Sequence, residues 1–93
     1  MTNKQKTYLK NLVKNSNQFL IGKDGFQERQ RTDFTNYILK NEVVKIKLLE
    51  TSPITIDELI EILSKDNVEI VNKIGRTLVV YKENLQLKNR IIL

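Results

Sequence analysis

One stretch constrains the fold more than any other: Phe19-Leu20-Ile21-Gly22-Lys23-Asp24-Gly25-Phe26. A short apolar run ends in Gly-Lys-Asp-Gly, and a helical pattern follows at once. The order is strand (Gln18 to Ile21), glycine loop, helix. Phe26, Phe34, Tyr37 and Ile38 share one arc at about 100° per residue, which predicts a helix from about Phe26 to Lys40 closed by Asn41-Glu42. Gln30 falls inside that arc, against the pattern. Val43 to Leu49 then alternates, with Val44, Ile46 and Leu48 on one face and Lys45 and Lys47 on the other. Strand, helix and strand within roughly thirty residues make a βαβ unit, so parallel strands with a right-handed crossover are expected.

The flanks complete the reading. Thr2 and Gln5 have capping-box spacing. They open a first helix of about twelve residues that places Tyr8, Leu9, Leu12 and Val13 inward and is ended by Asn15-Ser16-Asn17. Thr51 to Ile54, with the only proline, is a turn. Thr55 and Glu58 are a second capping box, opening a helix with Ile56, Leu59, Ile60 and Leu63 inward and Asp57, Glu58 and Glu61 outward. Val68 to Ile74 and Thr77 to Lys82 form a hairpin around Gly75-Arg76, where glycine suits a type II′ turn. The expected class is α/β, built as α-β-α-β-α-β-β. One mixed sheet is covered by helices on at least one face.

Charge narrows the function. The chain has 93 residues, enough for one small domain. Its net charge of +5 lies wholly in the first third. Residues 1–31 carry Lys4, Lys6, Lys10, Lys14, Lys23, Arg29 and Arg31 against Asp24 and Glu28 alone. Lys6, Lys10 and Lys14 repeat every fourth residue and form an outward stripe on the first helix. Such asymmetry points to a polyanionic partner. The acidic helix at Asp57 to Glu61 is expected to face away from it.

Catalysis is poorly supplied. Without His or Cys the commonest general base and the strongest nucleophile are missing, and no Asp/Glu cluster has metal-ligand spacing. No enzyme activity, metal, cofactor or small-molecule substrate is expected. The polar N-terminal stretch lacks the apolar core of a secretory signal and no apolar run is long enough for a membrane span, so the expectation is a cytoplasmic monomer.

The glycine loop offers a binding mechanism. Gly22 and Gly25 permit positive φ and close backbone approach, and Gly25 stands where free N–H groups at a helix start attract an anion. Lys23 adds a charge at the tip. A G-x-x-G loop can clamp a nucleic-acid backbone, although a tight turn uses the same residues. Asp24 argues against phosphate there unless it caps the helix. Arg76, at the hairpin tip, is a further candidate beside its plain reading as an exposed turn residue.

Four segments in this order resemble the CRM domain (chloroplast RNA splicing and ribosome maturation), nearest its single-domain bacterial YhbY-like members. They are Lys4-Gln5-Lys6-x-Tyr8-Leu9-Lys10, Ile21-Gly22-Lys23-Asp24-Gly25, Glu42-Val43-Val44-Lys45-Ile46-Lys47, and Ile74-Gly75-Arg76-Thr77-Leu78-Val79-Val80-Tyr81. The resemblance covers about residues 2–82, giving a domain at 1–82 and a tail at 83–93. It implies an α+β two-layer fold similar to the C-terminal domain of translation initiation factor three, with a four-stranded mixed sheet layered with the helices. It also implies a non-catalytic, RNA-binding protein that acts on ribosomal RNA in large-subunit precursors. Gly22, Lys23, Asp24 and Gly25 would be the RNA-contacting loop, joined by Lys4, Lys6, Lys10, Lys14, Arg29 and Arg76. Gln30 and Arg31 stand at positions that are usually apolar in the family. Two other functions fit the same charge: a module docking on an acidic protein such as a ribosomal protein, and a DNA-binding domain.

Overall fold

The computed structural model describes residues 1–16, 18–88 and 91–93. The elements, in chain order, are α1 (Asn3–Leu12), β1 (Phe19–Ile21), α2 (Glu28–Asn41), β2 (Val43–Leu48), α3 (Ile56–Lys65), β3 (Glu69–Ile74) and β4 (Thr77–Tyr81). This is the expected order, with each boundary within about two residues. Helix α1 ends at Leu12 with Val13 as its cap, earlier than Asn15-Ser16-Asn17; Asn17 lies outside the described residues. In the tail, Asn89 and Arg90 do too.

Both capping boxes form. Thr2 Oγ1 accepts the Gln5 N–H while Gln5 Oε1 accepts the Thr2 N–H. Thr55 and Glu58 repeat the exchange at α3. Each satisfies donors that a helix start leaves open.

The four strands form one mixed sheet in the order β1-β2-β4-β3. Strands β1 and β2 are parallel, and the other two pairs are antiparallel. Helices α2 and α3 pack on one face. Phe34 and Ile38 of α2 and Leu59 and Leu63 of α3 meet Ile21, Val44, Ile46, Leu48, Leu78 and Val80 in the main core. Phe19 joins them edge-on to Phe34, 5.4 Å between ring centroids. On the other face, α1 lies across β3 and β4. There Leu9 and Val13 form a smaller core with Val43, Val71, Val79 and Tyr81. Only half of the predicted apolar arc of α1 is used, because Tyr8 and Leu12 stay exposed.

A β-bulge interrupts β3. Ile70 pairs with Val80, but Asn72 pairs with Val79, so Val71 is the extra residue. Every later side chain changes face as a result. Lys73 lands on the α3 side, where it pairs with Asp57 at 3.3 Å. Ile74 is turned to the α1 face and left exposed. The hairpin that follows has Gly75 at φ 57, while Arg76 is not among the positive-φ residues, the pattern expected for type II′.

Candidate nucleic-acid interface

The loop between β1 and α2 is a tight turn closed by the Gly25 N–H on the Gly22 carbonyl at 2.9 Å. Gly25 has φ +68, and a Cβ there would stand 3.0 Å from Pro53 Cγ. Gly22 does not have positive φ, and a Cβ there would meet Leu49 Cδ1 at 3.4 Å. Both glycines therefore let the loop lie flat on the segment between β2 and α3. Neither leaves its gap towards solvent. What the turn presents outward is Lys23 and Asp24, both exposed. Their N–H groups have no acceptor among the described residues.

Two details differ from the sequence reading. Helix α2 starts at Glu28, with Gln27 as N-cap, so Gly25 is not at the helix start and its N–H is already bonded within the turn. Asp24 does not cap the helix either. Phe26 suggested an earlier start because its apolar side chain fits the helical arc, but it is buried against Phe34 from the loop itself. Gln30 then falls in the first turn of α2, half-buried, before the buried face begins at Phe34. Arg31 reaches Asp66 at 3.1 Å, which accounts for a cation in a position with an apolar pattern.

Arg76 is a clamp. Its Nε donates to the Leu48 carbonyl and its Nη2 to the Leu49 carbonyl, both at 3.1 Å. Leu49 N–H in turn donates to the Ile21 carbonyl. Arg76 thus ties the hairpin tip to the segment on which the glycine loop rests. These bonds leave part of its guanidinium open to an anion.

The end of β1, the end of β2 and the β3–β4 turn all lie at one end of the sheet. The last turn of α1 reaches the same region from the second face. Lys10, Lys14, Lys45, Thr77 and Ile74 line one shallow cleft of about 260 Å³. Lys47 is exposed beside it, opposite Leu20 on β1 and Thr77 on β4. The α1 lysines and the glycine loop are thus joined by two strand lysines, Lys45 and Lys47. In the sequence these two are only the polar face of a strand. Their alternation was the available signal, but not the fact that this face lies open beside α1.

The other predicted residues stand apart from this centre, and Arg29 is on the opposite face of the sheet with α2. Lys4 is about 9 Å back along the α1 axis from Lys10, and Lys6 is half-buried between them. Arg29 is exposed on the first turn of α2. The acidic side chains of α3 lie across the sheet from α1, where Asp57 holds Lys73 and Glu61 holds Lys65. Among the described residues, no cluster of acidic side chains is arranged to hold a metal ion. No helix of the described residues is long and apolar enough to cross a membrane.

The sequence profile of the CRS1 / YhbY (CRM) domain matches residues 1–82. The chain belongs to the CRM domain family. A solution structure from Staphylococcus aureus, of a protein proposed to bind RNA, is 32% identical to this CRM domain and covers 100% of its chain and 99% of its own, with a TM-score of 0.74. Among curated proteins none matches the chain. CRM domains are RNA-binding domains, and in this one Lys10, Lys14, Lys45 and Lys47 gather on the α1 face, towards the end of the sheet that carries the glycine turn.

Proposed function

We infer that the chain is a non-catalytic RNA-binding protein that engages ribosomal RNA in large-subunit precursors and assists their assembly. The observation that carries the RNA part is the convergence of Lys10, Lys14, Lys45 and Lys47 beside the turn that exposes Lys23. The acidic groups of α3 lie on the opposite face, away from these lysines. Phosphate contacts from these lysines would position the RNA without reading sequence. The free N–H groups of Lys23 and Asp24 would hold one phosphate directly. The ribosomal part rests on the resemblance to the bacterial single-domain members.

The test has two arms. In vitro, the affinity for a single-stranded ribosomal RNA fragment is expected to fall linearly against salt on logarithmic axes. Replacing Lys10 and Lys14 by glutamine should reduce that slope by about 1.4, at about 0.7 for each phosphate no longer neutralised. An unchanged slope would remove α1 from the interface. In cells, RNA crosslinked to the protein is expected to be enriched in large-subunit ribosomal RNA over messenger and transfer RNA. Partner capture that survives nuclease treatment, with no such enrichment, would favour an acidic protein partner instead.

A further inference from the structure

We propose that the uncovered half of the α1 face of the sheet is a seat for the bases of single-stranded RNA, a role distinct from the phosphate contacts of the glycine loop. The proposal rests on the RNA-binding reading above and adds where the bases go. The register places Leu20, Lys47, Thr77 and Ile74 side by side across all four strands. Leu20 is 57% exposed and Ile74 70% exposed. Helix α1 packs beyond this row, on Val71, Val79 and Tyr81, and only its last turn borders the row, at Ile74 and Thr77. Ile74 reaches this face only because of the bulge at Val71.

The surroundings indicate the occupant. Lys10, Lys14, Lys45 and Lys47 border the two apolar side chains. No acidic residue stands on this row or on the next, which holds Lys45, Val79 and Asn72. A ligand that matches this surface carries repeated negative charge together with apolar faces. Single-stranded nucleic acid has both. Thr77 and Asn72 supply donors and acceptors for base edges. Four strands at about 4.8 Å spacing span about 14 Å, and four-stranded sheets of comparable width seat two or three bases. The row has no aromatic ring, so its contact with a base is aliphatic and tolerant of sequence.

The test uses the full chain and two probes: a short single-stranded RNA of mixed sequence, and an abasic oligonucleotide of equal length. The wild type is expected to prefer the RNA. A Leu20→Ser/Ile74→Ser variant, with an unchanged unfolding midpoint, should bind the RNA several-fold more weakly, because apolar area buried against the bases is lost, and bind the abasic probe as before. If the variant binds RNA like the wild type while Lys23→Glu still weakens it, the base seat is refuted and the loop reading stands. If the wild type binds neither probe, both readings fall. If the wild type self-associates, and the variant becomes monomeric with RNA affinity unchanged, a second copy covers this face and the proposal is overturned. Since both substitutions are on the surface, loss of folding is not expected. Lys47→Gln, which keeps Leu20 and Ile74, is a second variant and should weaken binding to both probes.

Discussion

Replacing Gly25 by alanine is expected to lower stability by roughly 2–4 kcal/mol, the combined effect of a side chain at positive φ and of overpacking. At φ +68 a Cβ would stand 3.0 Å from Pro53 Cγ, and a proline ring gives way little. Replacing Gly22 by alanine should change stability by no more than about 0.5 kcal/mol, since its backbone is not left-handed and its Cβ would meet Leu49 at ordinary contact. Denaturant unfolding of both variants measures the difference. For a domain of this size each kcal/mol corresponds to about 4–8 °C in the thermal midpoint. Equal effects at the two glycines would contradict the packing of the loop on Pro53. The consequence for function is practical. Substituting both glycines together would confound folding with binding, whereas Lys23 faces outward and can be changed alone.

The second large effect is expected at Glu42, the one residue between α2 and β2. Its backbone makes the reversal at φ 61 and ψ −45, a conformation rarely taken by residues with side chains. Its side chain is buried, at 1% exposure. Oε2 accepts the Asn84 N–H at 2.9 Å and Oε1 accepts the Ile91 N–H at 2.6 Å. Its carbonyl accepts the Lys82 N–H. Asn84 adds a bond from Nδ2 to the Leu39 carbonyl, and Ile91 packs on the smaller core. One carboxylate therefore anchors the C-terminal segment at two points. Glu42→Ala is expected to cost roughly 2–4 kcal/mol, from the missing charged acceptor and the N–H groups left unbonded. Glu42→Gln should recover only part of this, because its NH₂ group would face one of the two N–H donors. Amide exchange at Asn84 and Ile91 should accelerate in both variants. Wild-type stability with slow exchange at these amides would refute the anchor.

Much of the fold is legible in the sequence because its signals are local. Two capping boxes, the Gly75 turn and the alternation of β2 each depend on residues within a few positions of one another, and each forms as expected. The features that escape depend on pairing and packing that no local pattern announces. The bulge at Val71 is set by pairing with β4, so nothing around Ile74 reveals that it points away from the main core. Tyr8 and Leu12 continue an apolar arc, yet α1 covers only part of the sheet. Pro53 lies nearly thirty residues from Gly25, and their contact separates the work of two glycines that look equivalent in a motif. At the candidate site, the lysine stripe of α1 and the loop are both visible in the sequence. That β2 joins them is not, because it depends on which sheet face α1 leaves bare.

The most direct test of the central claim is a titration of the isotopically labelled protein with single-stranded ribosomal RNA, followed by amide and side-chain NMR. At 10.9 kDa the chain is well suited to it. Shifts are expected at Leu20, Lys23, Asp24, Lys45, Lys47 and Thr77 and along the last turn of α1. The amides of α3, from Asp57 to Glu61, should stay in place. Shifts centred on α3, or none at all at saturating RNA in low salt, would contradict the account.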